Sequence, residues 1–350
     1  MPADPAKAAY SPGIHWDRQS LELLDQRLLP GEIRYVHCVT AADVAVAIHT
    51  MVVRGAPAIG IAAAYGLALG ARQHAGLPAE LRVSALAGDL EQLGAARPTA
   101  VNLAWALARL RPLVERGAAF SELATEAEKI HDEDVTSNQV IARLGSARIE
   151  PGSRVLTHCH TGPLATGGVG TAFGILAAAW HAGRLRRVAC TETRPWFQGA
   201  RITTWEFSRV GIAATLMSDI AAAGAALRGE FDWLVVGADR IAANGDVINK
   251  IGTAPLAALI RRGGGRVMVA APYSSVDPAL ASAAEVVLEH RGAEELWRAI
   301  GTEAPPPGVT LDNPVFDVTP AGEVDLIVTE RGVVAPGQEQ CPARLDQGTW

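Results

Sequence analysis

The amino-acid sequence predicts an α/β protein in two parts, and three observations carry that prediction. Residues 41–144 repeat apolar positions at the three-to-four spacing of helices. At Glu150-Pro151-Gly152-Ser153 the period changes. Beyond that break, short apolar runs alternate with helical segments, the pattern of a doubly wound parallel sheet with right-handed crossovers. The expected architecture is a Rossmann-like parallel-sheet C-terminal domain preceded by a mostly helical N-terminal domain with a small β-meander. The boundary falls between residues 1–148 and residues 149–350.

Each element follows from local chemistry. Residues 1–12 are rich in proline and alanine and read as a loose arm. Ile14-His15-Trp16, Leu21–Leu24 and Ile33–Val36 read as short antiparallel strands. Asp25-Gln26-Arg27 and Leu29-Pro30-Gly31-Glu32 supply the turns. A helix over Ala41–Met51 starts behind Thr40, whose hydroxyl is a good N-cap acceptor. Ala58–Arg72 is almost wholly apolar and so reads as a buried helix. Leu81–Leu93, Ala100–Glu115 and Ser121–Leu144 complete the helical part. After the break, strands are expected at Arg154–Thr157, Arg187–Thr191, Ala213–Met217, Trp233–Ala238, Arg266–Ala270, Ala284–Leu288 and Val324–Thr329. Helices fit at Gly170–Ala182, Gly199–Val210, Asp219–Leu227 and Gly252–Arg262. Ala304–Val309 reads as a surface loop, and the tail after Pro336 as poorly ordered.

Composition narrows the classes. The 350 residues are 49% hydrophobic and carry a formal net charge of −6, which argues against non-specific nucleic-acid binding. No apolar run reaches the ~20 residues needed to span a bilayer. The N-terminal stretch lacks the apolar core of a signal peptide, so a cytoplasmic protein is expected. Cys38, Cys159, Cys190 and Cys341 are far apart and show no CxxC or metal-ligand spacing, so free thiols are expected.

Two stretches carry the chemistry. Arg154–Gly174, RVLTHCHTGPLATGGVGTAFG, reads as strand, glycine loop and helix, with Cys159 where the strand ends. In an open parallel sheet ligands bind beyond the carboxyl ends of strands. Cys159 is thus placed either as a catalyst or as a small core residue. His158 and His160, at i and i+2, are expected to share a face pointing away from the cysteine between them, which disfavours a metal site. Gly167, Gly168 and Gly170 suggest a phosphate cradle, but the spacing is not GxGxxG and a nicotinamide cofactor is discounted. The second stretch, FDWLVVGADRIAANGDVINKIG, ends a buried strand at Asp239. Asp239 is either functional or a turn cap or partner of Arg240. Asn249 and Lys250 are read at a helix start, where backbone amides favour an anion. Arg54-Gly55-Ala56-Pro57, Arg97-Pro98-Thr99-Ala100 and the run from Glu192 to Gln198-Gly199 likewise place cations or amides near helix starts. Such starts, converging, make a phosphate pocket.

The blocks RGAPAIGIAAAYG, RPTAVNLAWAL, THCHTGPLATGGVGTAFG, ETRPWFQGARITTWEF, GADRIAANGDVINKIGT and NPVFDVTP, in this order, resemble the methylthioribose-1-phosphate isomerase family. That family is related to the regulatory subunits of translation initiation factor 2B. The resemblance runs from about residue 13 to about residue 335. It implies conversion of 5-methylthioribose 1-phosphate to 5-methylthioribulose 1-phosphate in methionine salvage. It also implies Cys159 and Asp239 as the catalytic pair, with Asp239 the proton donor. Arg54, Gly55, Ala56, Arg97, Gln198, Asn249 and Lys250 match substrate-binding positions. The family uses no metal or organic cofactor, binds a small sugar phosphate and forms homodimers. Two departures stand out: His160 replaces an expected asparagine, and Tyr273 replaces a smaller residue. Isomerisation of another pentose 1-phosphate (5-deoxyribose 1-phosphate or ribose 1,5-bisphosphate), or a non-catalytic binding module, are the competing readings. Retention of Cys159, Asp239, Asn249 and Lys250 argues against the non-catalytic module.

The residue types suit this chemistry. A sugar phosphorylated at C1 cannot open to a free aldehyde without losing its phosphate. The ring oxygen must leave as an alcohol, which requires a proton from a neutral acid. A carboxylic acid stays neutral near pH 7 only where burial raises its pKa by several units. A hydride shift from C2 to C1, or proton abstraction at C2 through an enediol, then completes the reaction. Cys159 suits the base of the second route or a stabiliser of the first.

Overall fold

The structure, a computed structural model, describes residues 13–97, 101–284, 286–292, 294–297, 301, 305–338 and 340–345. The arm at 1–12, Pro98-Thr99-Ala100 and the extreme C-terminus lie outside the described residues. The chain forms two compact units. One runs to Gln139 and includes Thr161–Gly170; the other holds Val140–His160 and everything from Thr171 onward.

The first unit opens with an antiparallel meander of β1 (Ile14–Trp16), β2 (Leu21–Leu24) and β3 (Tyr35–Cys38). β3 starts later than Ile33 because the register pairs Leu24 with Tyr35 and leaves Ile33 exposed. Helices α1 (Ala41–His49), α2 (Ala56–Gln73), α3 (Ala79–Ala95) and α4 (Val101–Glu115) follow, and α5 (Phe120–Ser146) begins in this unit and ends in the second. Thr40 caps α1 as expected, and Asp43 answers it in a capping box. Every residue of α2 from Ala58 to Ala71 is buried. Alanines and glycines dominate it, and α1, α3 and α4 pack around it.

The second unit contains β4 (Ser153–Thr157), α6 (Ala172–His181), β5 (Leu185–Thr191), α7 (Thr204–Arg209), β6 (Ala214–Met217), α8 (Asp219–Leu227) and β7 (Trp233–Val236). Next come β8 (Arg240–Ala242), β9 (Val247–Lys250), α9 (Thr253–Arg262), β10 (Arg266–Ala270) and β11 (Val276–Asp277). The unit ends with α10 (Glu294–Trp297), β12 (Phe316–Thr319), β13 (Leu326–Thr329) and β14 (Gly332–Val334). The main sheet has seven strands in the order β14-β13-β10-β7-β4-β5-β6, parallel throughout except for β14. The fold is therefore mixed α/β, with a helical N-terminal part and a parallel-rich sheet.

Trp233-Leu234-Val235-Val236 is completely buried, as a strand covered on both faces must be. Alternation sorts its side chains. Leu234 and Val236 join Leu156, Ala222, Leu256 and Ile260 in one apolar layer. Trp233 and Val235 join Val155, Phe173 and Leu176 in the other.

Four expectations need correction. Residues 286–288 form no strand; Val287 is 94% exposed, so the apolar run there has no sheet to bury against. A separate sheet, order β11-β8-β9-β12, escaped the sequence reading because its strands are short and carry Arg240, Asn249, Lys250 and Asp317 rather than an apolar pattern. The helix expected at Gly199 begins as a π-helical turn, Gly199–Thr203, before α7. The tail expected to be loose carries two short helical turns, Pro336–Gln338 and Pro342–Arg344. Tyr273 explains part of that order: its hydroxyl donates to Ala343 O at 3.2 Å, and Arg331 lies over its ring.

Candidate active site

In the main sheet the strand order reverses between β4 and β7, which are paired neighbours. Ligands of open α/β sheets bind at such a reversal, beyond the carboxyl ends. β4 ends at Thr157 and leads through His158 to Cys159. β7 ends at Val236 and leads through Gly237-Ala238 to Asp239. The two residues singled out for chemistry thus follow adjacent strands at the same edge.

Cys159 lies outside the strand, in the left-handed region at φ +68°, and is 6% exposed. Its N–H donates to Thr193 Oγ1 at 3.0 Å, and its carbonyl accepts from Thr203 Oγ1 at 2.9 Å. Gln198 Nε2 donates to its Sγ at 3.3 Å. Gln198 is itself 2% exposed, and its Oε1 is buried without a partner among the described residues. Thr193 and Phe197 also have positive φ, at 61° and 60°. Each such non-glycine residue costs of the order of 1–3 kcal/mol and persists only where its surroundings enforce it. At Thr193 the enforcing group is visible. Asp219, the first residue of α8, accepts from the N–H groups of Thr193 and Arg194, both at 2.8 Å.

The strand-face expectation for the two histidines fails, because the strand stops before them. His158 is fully buried, with Nδ1 2.6 Å from Thr191 Oγ1 and Nε2 2.8 Å from the Ile251 carbonyl. Burial holds its pKa below the ordinary imidazole value; the charge of Lys250 acts in the same direction and that of Asp219 against it. His160, standing where asparagine was expected, points into the fold. Its Nε2 lies 2.8 Å from Glu206 Oε2 on α7, and both side chains are inaccessible to solvent. A carboxylate that deep requires a polar partner, and His160 supplies it.

Asp239 is half-buried, and its N–H donates to Ile248 O on β9 at 3.0 Å. Arg240 forms an ion pair across β8 with Asp277 of β11 (Nε to Oδ2 2.9 Å). Asn249 and Lys250 are not at a helix start but on β9, where both are buried. Lys250 Nζ donates to Val315 O at 2.7 Å and sits 4.1 Å from the centre of the Phe316 ring. Asn249 Nδ2 donates to Thr253 Oγ1 at 2.9 Å. The amides at the start of α9 are already engaged. Gly252 N and Ala254 N donate to Asp317 Oδ2 at 2.7 and 3.2 Å. The anion at this helix end is the protein's own. Burial pushes Asp317 up to about 6, against the opposing pull of those two amides and of Lys250.

In the first unit, Arg54, Gly55 and Ala56 lead into α2 and are partly buried; Arg97, also partly buried, follows α3. Gly55 has φ +103°, and a Cβ there would lie 2.5 Å from Ala165 Cα, so no other residue fits. The glycine loop, Thr161–Gly170, is not an open phosphate cradle. Gly167 N–H donates to Asp134 Oδ2 at 2.6 Å, and its carbonyl meets His131 Nε2 at 2.7 Å. The N–H groups of Gly168 and Gly170 turn to Thr166 Oγ1 at 3.3 and 3.0 Å. Sequence reasoning missed Thr191, Thr193, Thr203, Glu206 and Asp219. The only signal for the first four was their place in or beside the ETRPWFQGARITTWEF block, and for Asp219 its place at a helix start.

Comparison with known proteins gives the family first. The chain matches the initiation factor 2 subunit family over residues 52–336 and belongs to it. Within that family it is 50% identical to the methylthioribose-1-phosphate isomerase of Xanthomonas oryzae pv. oryzae over 333 residues, 94% of each chain. The crystal structure of 5-methylthioribose 1-phosphate isomerase from Pyrococcus horikoshii OT3 superposes with a TM-score of 0.86 at 41% identity, covering 95% of both chains. A structure of translation initiation factor eIF-2B, subunit delta, from A. fulgidus superposes with a TM-score of 0.82 at 37% identity, covering 94% of this chain and 97% of that one.

Asp317 gives a pH test. A carboxyl raised in the folded state stabilises the fold fully at low pH and loses that contribution as pH rises through its folded value, here about 6. Asp317→Asn keeps an acceptor for the α9 amides but cannot ionise. Its melting temperature relative to the native protein should therefore rise between about pH 4 and about pH 7. A constant difference across that window rules out the raised carboxyl.

Proposed function

We propose that the chain is an aldose–ketose isomerase converting 5-methylthioribose 1-phosphate to 5-methylthioribulose 1-phosphate, a step of methionine salvage. The observation that carries this reading is the position of Cys159 and Asp239 beyond neighbouring strands at the reversal of strand order. The named activity of relatives that match nearly the whole chain supports it.

In this reading Asp239 protonates the departing ring oxygen. Cys159 acts at C2, as the base of an enediol route or as a stabiliser of a direct hydride shift. Gln198 binds substrate beside the thiol, and its buried, unpartnered Oε1 suits a sugar hydroxyl. Asn249 and Lys250 bind substrate from β9, next to the residue that holds the Asp239 backbone. Arg54, Gly55, Ala56 and Arg97 are assigned to substrate binding, cations and backbone suited to an anionic sugar. In this reading, as the family resemblance implies, the reaction uses no metal or organic cofactor. We read the main sheet as Rossmann-like, because β6-β5-β4-β7-β10-β13 follows the strand order of that fold.

The same reading includes a homodimer in the cytoplasm. β6 is an edge strand, and Leu216 on it, with Ile220 and Leu227 on α8, is 48%, 84% and 45% exposed. An apolar edge of this kind is suited to a second copy of the chain. All four cysteines are free, as a reducing compartment requires, and burial pushes the thiols of Cys38 and Cys190 up to about 12.

Turnover of a panel of pentose 1-phosphates tests the activity. 5-Methylthioribose 1-phosphate should be preferred over 5-deoxyribose 1-phosphate and ribose 1,5-bisphosphate; preference for either of those reassigns the substrate, and no turnover of any of them removes the isomerase reading. Asp239→Asn should abolish turnover with substrate still bound. Cys159→Ser should lower kcat by at least ~100-fold, the scale of proton-transfer catalysis. Near-normal rates in either variant remove that residue from its role. Ile220→Lys should shift the protein toward monomer in sedimentation experiments. An unchanged mass there moves the interface elsewhere.

A further inference from the structure

We propose that His158, Thr191 and Thr193 form a one-directional hydrogen-bond chain that aims the Cys159 thiol, making the two threonines positioning residues for the isomerisation. The functional part of this assignment rests on the activity proposed above; the geometric part does not.

The direction follows from one constraint. The Ile251 carbonyl can only accept, so His158 Nε2, 2.8 Å away, must carry a hydrogen. The ring is fully buried, which favours its neutral form, and a neutral imidazole carries only one N–H. Nδ1 is therefore an acceptor, and Thr191 O–H donates to it at 2.6 Å. That uses the single proton of Thr191. Across the 2.9 Å contact between the two hydroxyls, Thr193 then donates to Thr191 Oγ1, in preference to the Thr191 carbonyl at 3.4 Å. Thr193 now has only lone pairs left on its oxygen, and the Cys159 N–H fills one at 3.0 Å. Every proton in the chain is assigned, from the Cys159 amide through two hydroxyls and one ring to a carbonyl. The anchor is closely fitted: Gly252 has φ +103°, and a Cβ there would lie 3.0 Å from His158 Cε1.

The chain ties together three segments that the sequence keeps far apart: the end of β4, the end of β5 and the start of α9. Its far end acts on a backbone that would not otherwise hold its conformation. Cys159 and Thr193 both have positive φ, and Thr193 is β-branched, which makes that conformation a true outlier. With Thr203 holding the Cys159 carbonyl, the peptide groups on both sides of the cysteine are fixed. The Cα–Cβ direction is thereby set, and along it Sγ accepts from Gln198 Nε2 at 3.3 Å. Thiol chemistry on a bound sugar depends on sub-ångström placement, so loosening this turn should slow catalysis without weakening binding.

Isosteric variants test this. Thr193→Val keeps the shape and the β-branch and removes only the hydroxyl; Thr193→Ser keeps the hydroxyl. Thr193→Val should lower kcat by about 10- to 100-fold with KM nearly unchanged, the range expected for misplacement of a reacting group. Thr193→Ser should restore most of the rate. Thr191→Val should be impaired in the same way. The double Thr191→Val/Thr193→Val variant should be no worse than Thr193→Val alone, because the two act as one chain. The rate of Cys159 alkylation by iodoacetamide without substrate, read by peptide mass, should change in the valine variants and return in Thr193→Ser. This readout separates failure of the chain from failure of the isomerase reading. Equal effects of valine and serine, additive losses in the double variant, or alkylation indifferent to both substitutions would each overturn the proposal.

Discussion

A buried parallel strand delivers its last residues to one edge of a sheet, but it cannot by itself decide where the next side chain points. At Cys159 that decision is made by two hydroxyls, which hold the peptide groups before and after it while the backbone turns into the left-handed region. The turn is affordable only because the strands beneath it are rigid. Leu156, Leu234 and Val236, in the strands that lead to it and to Asp239, are wholly buried in one close-packed layer. Strain at the cysteine and close packing in the sheet are thus two sides of one arrangement.

The carboxylates divide along the same principle. Asp219 and Asp317 each accept two backbone N–H groups, one pair at the Thr193–Arg194 turn and one at the start of α9. Both hold backbone. Glu206 is committed to His160 inside the unit. The histidine that stands where an asparagine was expected is thus engaged by α7. Tyr273, the other departure, tethers the C-terminal turn at Ala343.

How much of this was legible in the sequence depended on the length scale of the cause. The eighteen-residue α2, the strand Trp233–Val236 and the cap at Thr40 were readable because burial and capping act on neighbours in the chain. A largely parallel sheet was readable from the alternation of its strands with helices; the order of those strands was not. The sheet of β8, β9, β11 and β12 was not readable. Its strands are held by pairing between distant segments, such as Phe316 with Lys250, and carry polar residues at the positions that pattern reasoning relies on. The same gap explains why Asn249 and Lys250 were placed at a helix start. A helical pattern just after them suggested one, but β12 draws them into a strand and supplies the Asp317 carboxylate where an external anion was expected. Cys159, Asp239 and Gln198 could be singled out by motif. What surrounds them could not, because a threonine hydroxyl that orients a cysteine looks in sequence like any other threonine.

That asymmetry bears on how a fold shared with an eIF-2B subunit structure can serve catalysis. The sheet and its apolar layers are indifferent to chemistry; they need only volume and alternation. A reacting thiol needs a fixed direction, which burial alone does not provide, since a buried cysteine with ordinary backbone packs as a small apolar side chain. Cys38 and Cys190 are of that kind: buried, with thiols held protonated by desolvation. Cys159 differs from them in having its backbone turned and clamped and a side-chain amide donating to its sulfur. Under the proposed reading, what sets Cys159 apart from the other buried cysteines is therefore three threonine hydroxyls and one glutamine, and not the sheet that carries it.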